Sequence, residues 1–233
     1  MKSQYAIATY RLPAEWEEQY AVMLTWPHED TDWKPYLDDI TDTFTQLTAI
    51  IANYESVIIA ARHPDRVLQR LQEHLSEAQL NHLQIYPCES NDTWARDHGP
   101  ITLVPTRQHL RPLMLDFKFN GWGEKFKWES DNAVTSSLFA LNAFPFEYSG
   151  NKDFVLEGGS IESDGKGTIL TTSHCLLAPH RNQPMSRDEI ETTLKLRLGA
   201  DRVIWSENGR LTGDDTDGHI DTLVRLAPDD TLL

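Results

Sequence analysis

Three polar clusters recur along this chain, and each runs directly into a pair of strand-forming stretches. They are NDTWARDHGPITLV at 91–104, FVLEGGSIESDGKGTILTT at 154–172 and GDDTDGHIDTLVRLAPDDTLL at 213–233. With Asp97, Glu157 and Asp221 as markers, the clusters stand 60 and 64 residues apart. A period of that size marks a supersecondary unit that cannot bury its apolar face alone and stacks on its neighbours around an axis. Equivalent polar points of successive units would then converge. The third copy ends inside its second strand, at Thr231-Leu-Leu233. The expectation is therefore a fragment of a longer array, with an outer strand whose backbone groups lack a partner and whose open edge favours self-association into a homo-oligomer.

Between the clusters the periodicity alternates between strand and helix, with no Ser/Gly-rich linker, so a single mixed α/β domain over 1–233 is expected. Tyr20–Trp26 reads as a buried strand. Leu37, Ile40, Phe44, Leu47 and Ile51 recur at helical spacing between Trp33 and Tyr54, and Pro35 suits the first turn. A strand at Ser56–Ala61 leads to a helix opened by Pro64, with Val67, Leu68, Leu71 and Leu75 on one face, and then to a strand at Leu83–Tyr86. Asp131–Leu141 predicts a further helix. Ser186–Leu198 predicts another: Ser186 and Glu189 have capping-box spacing, Ile190, Leu194 and Leu198 form the stripe, and Gly199 ends it.

The chain carries 21 Lys and Arg against 36 Asp and Glu, a formal charge of −15. Nucleic acid and anionic membrane surfaces would be repelled and a small cation attracted. The amino terminus lacks the pattern of a secretory signal and no apolar run is long enough to span a bilayer, so a cytoplasmic protein is expected. Cys88 and Cys175 form no zinc pattern and read as reduced thiols.

Each cluster also has a plain structural reading. Asp97 could cap a turn before Gly99-Pro100 with Trp94 in the core. Gly158-Gly159 could be a bulge with Glu157 solvated beside it, and the acidic run around His219 could be a calcium-like loop or a solvated turn. The functional reading is a convergence of carboxylates, one histidine and a tryptophan into a negatively charged pocket with a titratable base.

WARDHGP, LEGGSI and GDDTDGHID, in this order and at these separations, resemble the agmatine deiminases and the related bacterial-type peptidyl-arginine deiminases, and so do NGWGEKF at 120–126 and LTTSHCLL at 170–177. The resemblance covers most of the chain from about Tyr20. It implies a pentein fold, the five-bladed pseudosymmetric α/β propeller of guanidino-group-modifying enzymes, cut here after about three and a half blades. It implies hydrolysis of agmatine to N-carbamoylputrescine and ammonia, in putrescine and polyamine biosynthesis, through a Cys-thiouronium intermediate and without metal or cofactor. By the same resemblance Asp97 and Asp221 bind the guanidinium, His219 is the acid/base, Glu157 belongs to the catalytic shell, and Trp94 and Trp122 contact the substrate.

The chemistry suits those residue types. A carboxylate pair can accept parallel N–H bonds from a planar guanidinium and hold one face open to attack. Expelling ammonia and activating water need one group that gains and loses a proton near neutral pH. Asp214, Asp215 and Asp217 could receive the distal amine of agmatine. The family's nucleophile is a cysteine in a Gly-rich segment that nothing here matches, and neither Cys88 nor Cys175 fills its place, so the chain as given is expected to be inactive. Three alternatives stand beside this reading. One is a peptidyl-arginine deiminase, for which Arg181 in APHRNQP could recognise a carboxylate, although an arginine in such a loop is ordinarily solvated. The others are a metal-dependent hydrolase using His219, Asp221 and Asp217, and a non-catalytic guanidine-binding fragment.

Overall fold

Each of the three polar clusters folds as a short helical turn followed by an antiparallel strand pair. The computed structural model describes residues 9–233. The elements run β1 (Tyr10–Arg11), β2 (Ala21–Thr25), α1 (Leu37–Ile51), β3 (Ser56–Ala61), α2 (Pro64–His74), α3 (Glu77–Leu80) and β4 (Leu83–Pro87). The first cluster opens with α4 (Ala95–His98) and continues into β5 (Ile101–Pro105) and β6 (Leu113–Lys118), followed by α5 (Gly121–Glu124), α6 (Glu129–Ala140) and β7 (Glu147–Val155). The second opens with a 3₁₀ turn at Gly158–Ser160, then β8 (Glu162–Ser163), β9 (Thr168–Thr172), α7 (Ser173–Leu176), α8 (Arg187–Leu198) and β10 (Arg202–Ser206). The third has a 3₁₀ turn at Ile220–Thr222 and the pair β11 (Leu226–Ala227) and β12 (Thr231–Leu232).

These elements form two compact units, one of 18–95 with 128–144 and the other of 9–17, 96–127 and 145–233. The former is built on a parallel sheet in the order β2-β3-β4. Its middle strand is apolar from Val57 to Ala61 and buried on both faces, as parallel strands under helices require. Val57, Ile59 and Ala61 pack with Val67 and Leu71 of α2, with Phe44 of α1 against them. Ile58 and Ala60 face Val134 and Leu138 of α6. The expected helical stripes are shifted by a few positions: Leu47 and Leu68 are exposed, while Thr45 and Thr48 are buried. Each of those threonines donates its hydroxyl to the carbonyl four residues back, at 2.7 Å, so it enters the interior with its polar group satisfied.

In the second unit the sheets are β1-β5-β6-β7 and β10-β9-β8, with β11-β12 separate. The pairs β5/β6, β8/β9 and β11/β12 are antiparallel, and β6/β7 and β9/β10 are parallel. Ile190, Leu194 and Leu198 of α8 pack on Leu103, Leu115, Phe154 and Ile169 of the sheets. The capping box forms as expected, with Glu189 Oε2 accepting the Ser186 N–H at 2.7 Å and Gly199 taking the left-handed conformation that ends the helix. Among the described residues no helix is long and apolar enough to cross a membrane.

Candidate active site

The second and third clusters meet at Gly159. Its amide donates to Asp97 Oδ1 at 3.0 Å. A Cβ placed on it would lie 2.5 Å from His219 Nδ1 and 2.8 Å from both Asp221 Oδ2 and Asp97 Oδ1, so glycine is what lets three functional side chains close on one point. At Gly158 a Cβ would collide with the Arg96 carbonyl oxygen. The pair is thus required by close approach of side chains on one residue and of backbone on the other.

Asp97 sits in the four-residue α4 and is buried. Its second oxygen accepts the indole N–H of Trp122 at 2.9 Å. Trp122 occupies the left-handed region, φ 56°, between two glycines, and its ring is wedged edge-on against Phe119 and Phe126. A bulky residue held there stores strain that the aromatic packing offsets, and the result is a fixed donor aimed at Asp97. Trp122 therefore orients a carboxylate rather than standing open to a ligand. Trp94 lies in the other compact unit, 47% exposed, its ring tilted against Trp33 at 6.5 Å.

His219 is 2% exposed, and its Nε2 is buried without a hydrogen-bond partner among the described residues. Its Nδ1 stands 3.6 Å from Asp97 Oδ1. Burial lowers its pKa against the opposing pull of Glu157 and Asp221. Burial likewise raises Asp97, over the hydrogen bonds from Trp122 and Gly159, and raises Asp221, over the pull of His219. Arg96 Nε stands 3.8 Å from Asp221, yet burial still drives both carboxylates towards neutrality, and a cation bound between them would favour their ionised forms.

Glu157 is fully buried and does not face solvent. Arg181 Nε donates to it at 3.0 Å, while Arg181 Nη1 reaches Asp217 Oδ2 at 2.6 Å and Nη2 the Thr216 carbonyl at 2.8 Å. The expectation of a solvated loop arginine is corrected: the side chain of Arg181 has no exposed surface. Burial pushes its guanidinium down, and Glu157 and Asp217 overcome this and keep it charged. Both partners are distant in sequence, so no local pattern could have shown it.

The acidic loop is also committed. Asp214 accepts the N–H and hydroxyl of Thr216 and the N–H of Gly218, which shapes the turn that delivers His219. Burial pushes Asp214 up, but these bonds hold it below its ordinary value. Asp217 is tied to Lys125 at 2.8 Å as well as to Arg181, and these cations outweigh its burial and lower its pKa. Lys125 also donates to the Asp215 carbonyl. The set His219, Asp221 and Asp217 is thus not the one the fold gathers for a metal. Among the described residues, Glu157, Cys175 and His219 are the acidic, thiol and imidazole groups whose ligand atoms lie within 4.8 Å of one another.

Both cysteines are reduced and buried, Cys88 in one unit and Cys175 in the other. Burial pushes the Cys88 thiol up to about 11 and, with the nearby Glu157, lifts Cys175 well above its ordinary value. Neither is poised as a thiolate.

A sequence model of the Porphyromonas-type peptidyl-arginine deiminase family matches residues 11–233. The chain belongs to this family. It is 34% identical over 230 residues to the agmatine deiminase of Pseudomonas aeruginosa, covering 96% of this chain and 60% of that protein. Among solved structures it superposes with a TM-score of 0.83 on a cysteine-to-serine variant of C. jejuni agmatine deiminase with substrate bound, at 39% identity, covering 96% of this chain and 63% of that one. It also matches the agmatine deiminase of Enterococcus faecalis, at 29% identity, TM-score 0.80, 93% of this chain and 58% of that one. The chain spans about three fifths of the length of the curated relatives it matches, and its mixed α/β fold is that of these family structures.

Proposed function

We propose that this protein serves to hydrolyse the guanidine group of agmatine, releasing ammonia and leaving N-carbamoylputrescine. The convergence of Asp97, Asp221 and His219 on Gly159 carries the reading, because it sets a buried carboxylate, a half-buried one and a neutral base around one point. A guanidinium entering there would favour the ionised carboxylates, its N–H groups taken by Asp97 and Asp221. A five-bladed propeller belongs to the same proposal.

The covalent step needs a thiol other than Cys88 and Cys175, both of which burial holds protonated. That thiol would pass its proton to His219 Nε2 and form a C–S bond to the central guanidine carbon. The C–N bond then breaks and ammonia leaves with the proton from His219. Water attacks the resulting thiouronium, gives a proton to His219 and displaces the thiolate, which recovers that proton. Glu157, fixed by Arg181, stands within 4.8 Å of the imidazole that is protonated in both steps.

Agmatine is favoured over an arginine within a peptide. Arg181, the residue that could have met a carboxylate, is already spent on Glu157 and Asp217. The test is ammonia release from agmatine and from arginine-containing peptides, with a protein in which this chain is joined to the segment that carries that thiol, and with its Asp97→Asn variant. Preference for agmatine and a fall in kcat/KM of roughly 100-fold or more are expected, about 2.7 kcal/mol. Undiminished turnover by Asp97→Asn would remove the assignment.

A further inference from the structure

The mechanism uses His219 Nε2 and Glu157 but leaves unexplained why a fully buried thiol stands with them. Cys175 has no exposed surface, and its sulfur, a Glu157 oxygen and a ring nitrogen of His219 lie within 4.8 Å of one another. His219 Nε2 is buried without a hydrogen-bond partner among the described residues. α7 holds the thiol in place, since the Cys175 N–H donates to Thr172 Oγ1 at 3.1 Å and the same hydroxyl donates to the Gly218 carbonyl at 2.6 Å, next to His219. One side chain thus ties the cysteine and the histidine loop together.

We infer that Glu157, Cys175 and His219 form a binding site for a thiophilic divalent cation, zinc or cadmium. A thiolate, an imidazole and a carboxylate are a usual donor set for zinc, with sulfur at about 2.3 Å and nitrogen or oxygen at about 2.0–2.2 Å, leaving a fourth position for water. A modest inward shift of the three side chains brings them onto one ion. Glu157 can ligate without releasing Arg181, because a carboxylate offers about four lone-pair positions and Arg181 Nε, shared between the two oxygens at 3.0 and 3.3 Å, takes one on each. On binding, the Cys175 S–H bond breaks, the metal–sulfur bond forms and one proton leaves to solvent. Asp97, Asp217 and Asp221 stand around the three ligands, with Arg181 and Lys125 on Asp217 and Arg96 3.8 Å from Asp221 as the cations facing them. If the deiminase reading holds, the ion occupies the base that reading needs, so the site is inhibitory; the binding itself does not depend on that reading.

The test uses the purified 233-residue chain titrated with cadmium and read by thiolate-to-cadmium charge-transfer absorption, with native mass spectrometry for stoichiometry. One ion should bind in wild type and in Cys88→Ser, with the band lost in Cys175→Ser. Neighbours outside a metal's ligand set are themselves worth about 10–100-fold in affinity, so loss of a ligand in His219→Gln, which keeps both thiols, should weaken binding by more than roughly tenfold. That variant carries the test if Cys175→Ser does not fold. No band in wild type, a band that follows Cys88, or unchanged affinity in His219→Gln would overturn the site.

Discussion

The parallel-sheet unit and the cluster region of the other unit fill their interiors in opposite ways. In the unit built on β2-β3-β4, the central strand SVIIAA buries alkyl groups on both faces. In the unit that holds Gly159, the interior around the clusters contains Asp97, Glu157, Arg181 and His219, all 7% exposed or less. An alkyl interior is non-directional and tolerates neighbours of roughly the right size, whereas a charged one holds only while every partner is present. The parallel sheet therefore reads as support, and the charged interior as the place where stability is given up for chemistry.

The largest effect should come from Arg181→Met. It leaves Glu157 buried without its cation, and breaking a buried pair in this way costs about 3–5 kcal/mol in urea unfolding. Adding Glu157→Gln should recover much of the loss, since the orphaned charge goes with it. A single variant as stable as wild type would show that the interior is not held by charge. In the alkyl unit Leu71→Ala, at a residue with no exposed surface, should cost about 2–5 kcal/mol through the cavity it opens, with guanidine binding unchanged.

Next comes Gly159→Ala, which drives a methyl group into His219, Asp221 and Asp97. Agmatine turnover or affinity should fall roughly 100-fold with a stability change of about 1–3 kcal/mol, from overpacking. Equal turnover would mean that the three groups do not need their observed spacing. The smallest expected effect tests whether the alkyl unit is free of strained charge. Asp131 is buried there, and burial raises its carboxyl to about 7 despite bonds from the Asn91 and Asp92 amides. The folded state then binds a proton that the unfolded chain has lost. The contribution of Asp131 to stability should be greatest in acid and should fall as pH rises from about 4 to about 7, by up to about 1.4 kcal/mol per pH unit. Asp131→Asn, whose carbonyl can still accept both amides, should flatten that slope and gain about 1–2 kcal/mol at pH 8. An unchanged pH profile would contradict the raised value.

Much of this architecture was legible because its signals are local. The capping box at Ser186, the α8 stripe and the alkyl β3 strand are written within a dozen residues, and each folds as its pattern predicts. The repeat was legible too, since each polar cluster does precede an antiparallel pair. The strand Glu147–Val155 was not, because its polar sequence shows no alternation and it is held in part by Lys152 on the buried Asp116. Arg181 and Cys175 escaped for a different reason: an arginine in a proline-containing loop and a lone cysteine acquire meaning only from Glu157, Asp217 and His219, which lie far along the chain.

The central claim is that Asp97, Asp221 and His219 grip a guanidinium beside Gly159, and calorimetric titration of agmatine into wild-type protein and Asp221→Asn tests it directly. The account predicts that agmatine binds, that 1,4-diaminobutane, which lacks the guanidine, does not compete, and that Asp221→Asn weakens agmatine by roughly 100-fold, or about 2.7 kcal/mol. Wild-type affinity in Asp221→Asn, or equal binding of the diamine, would contradict it.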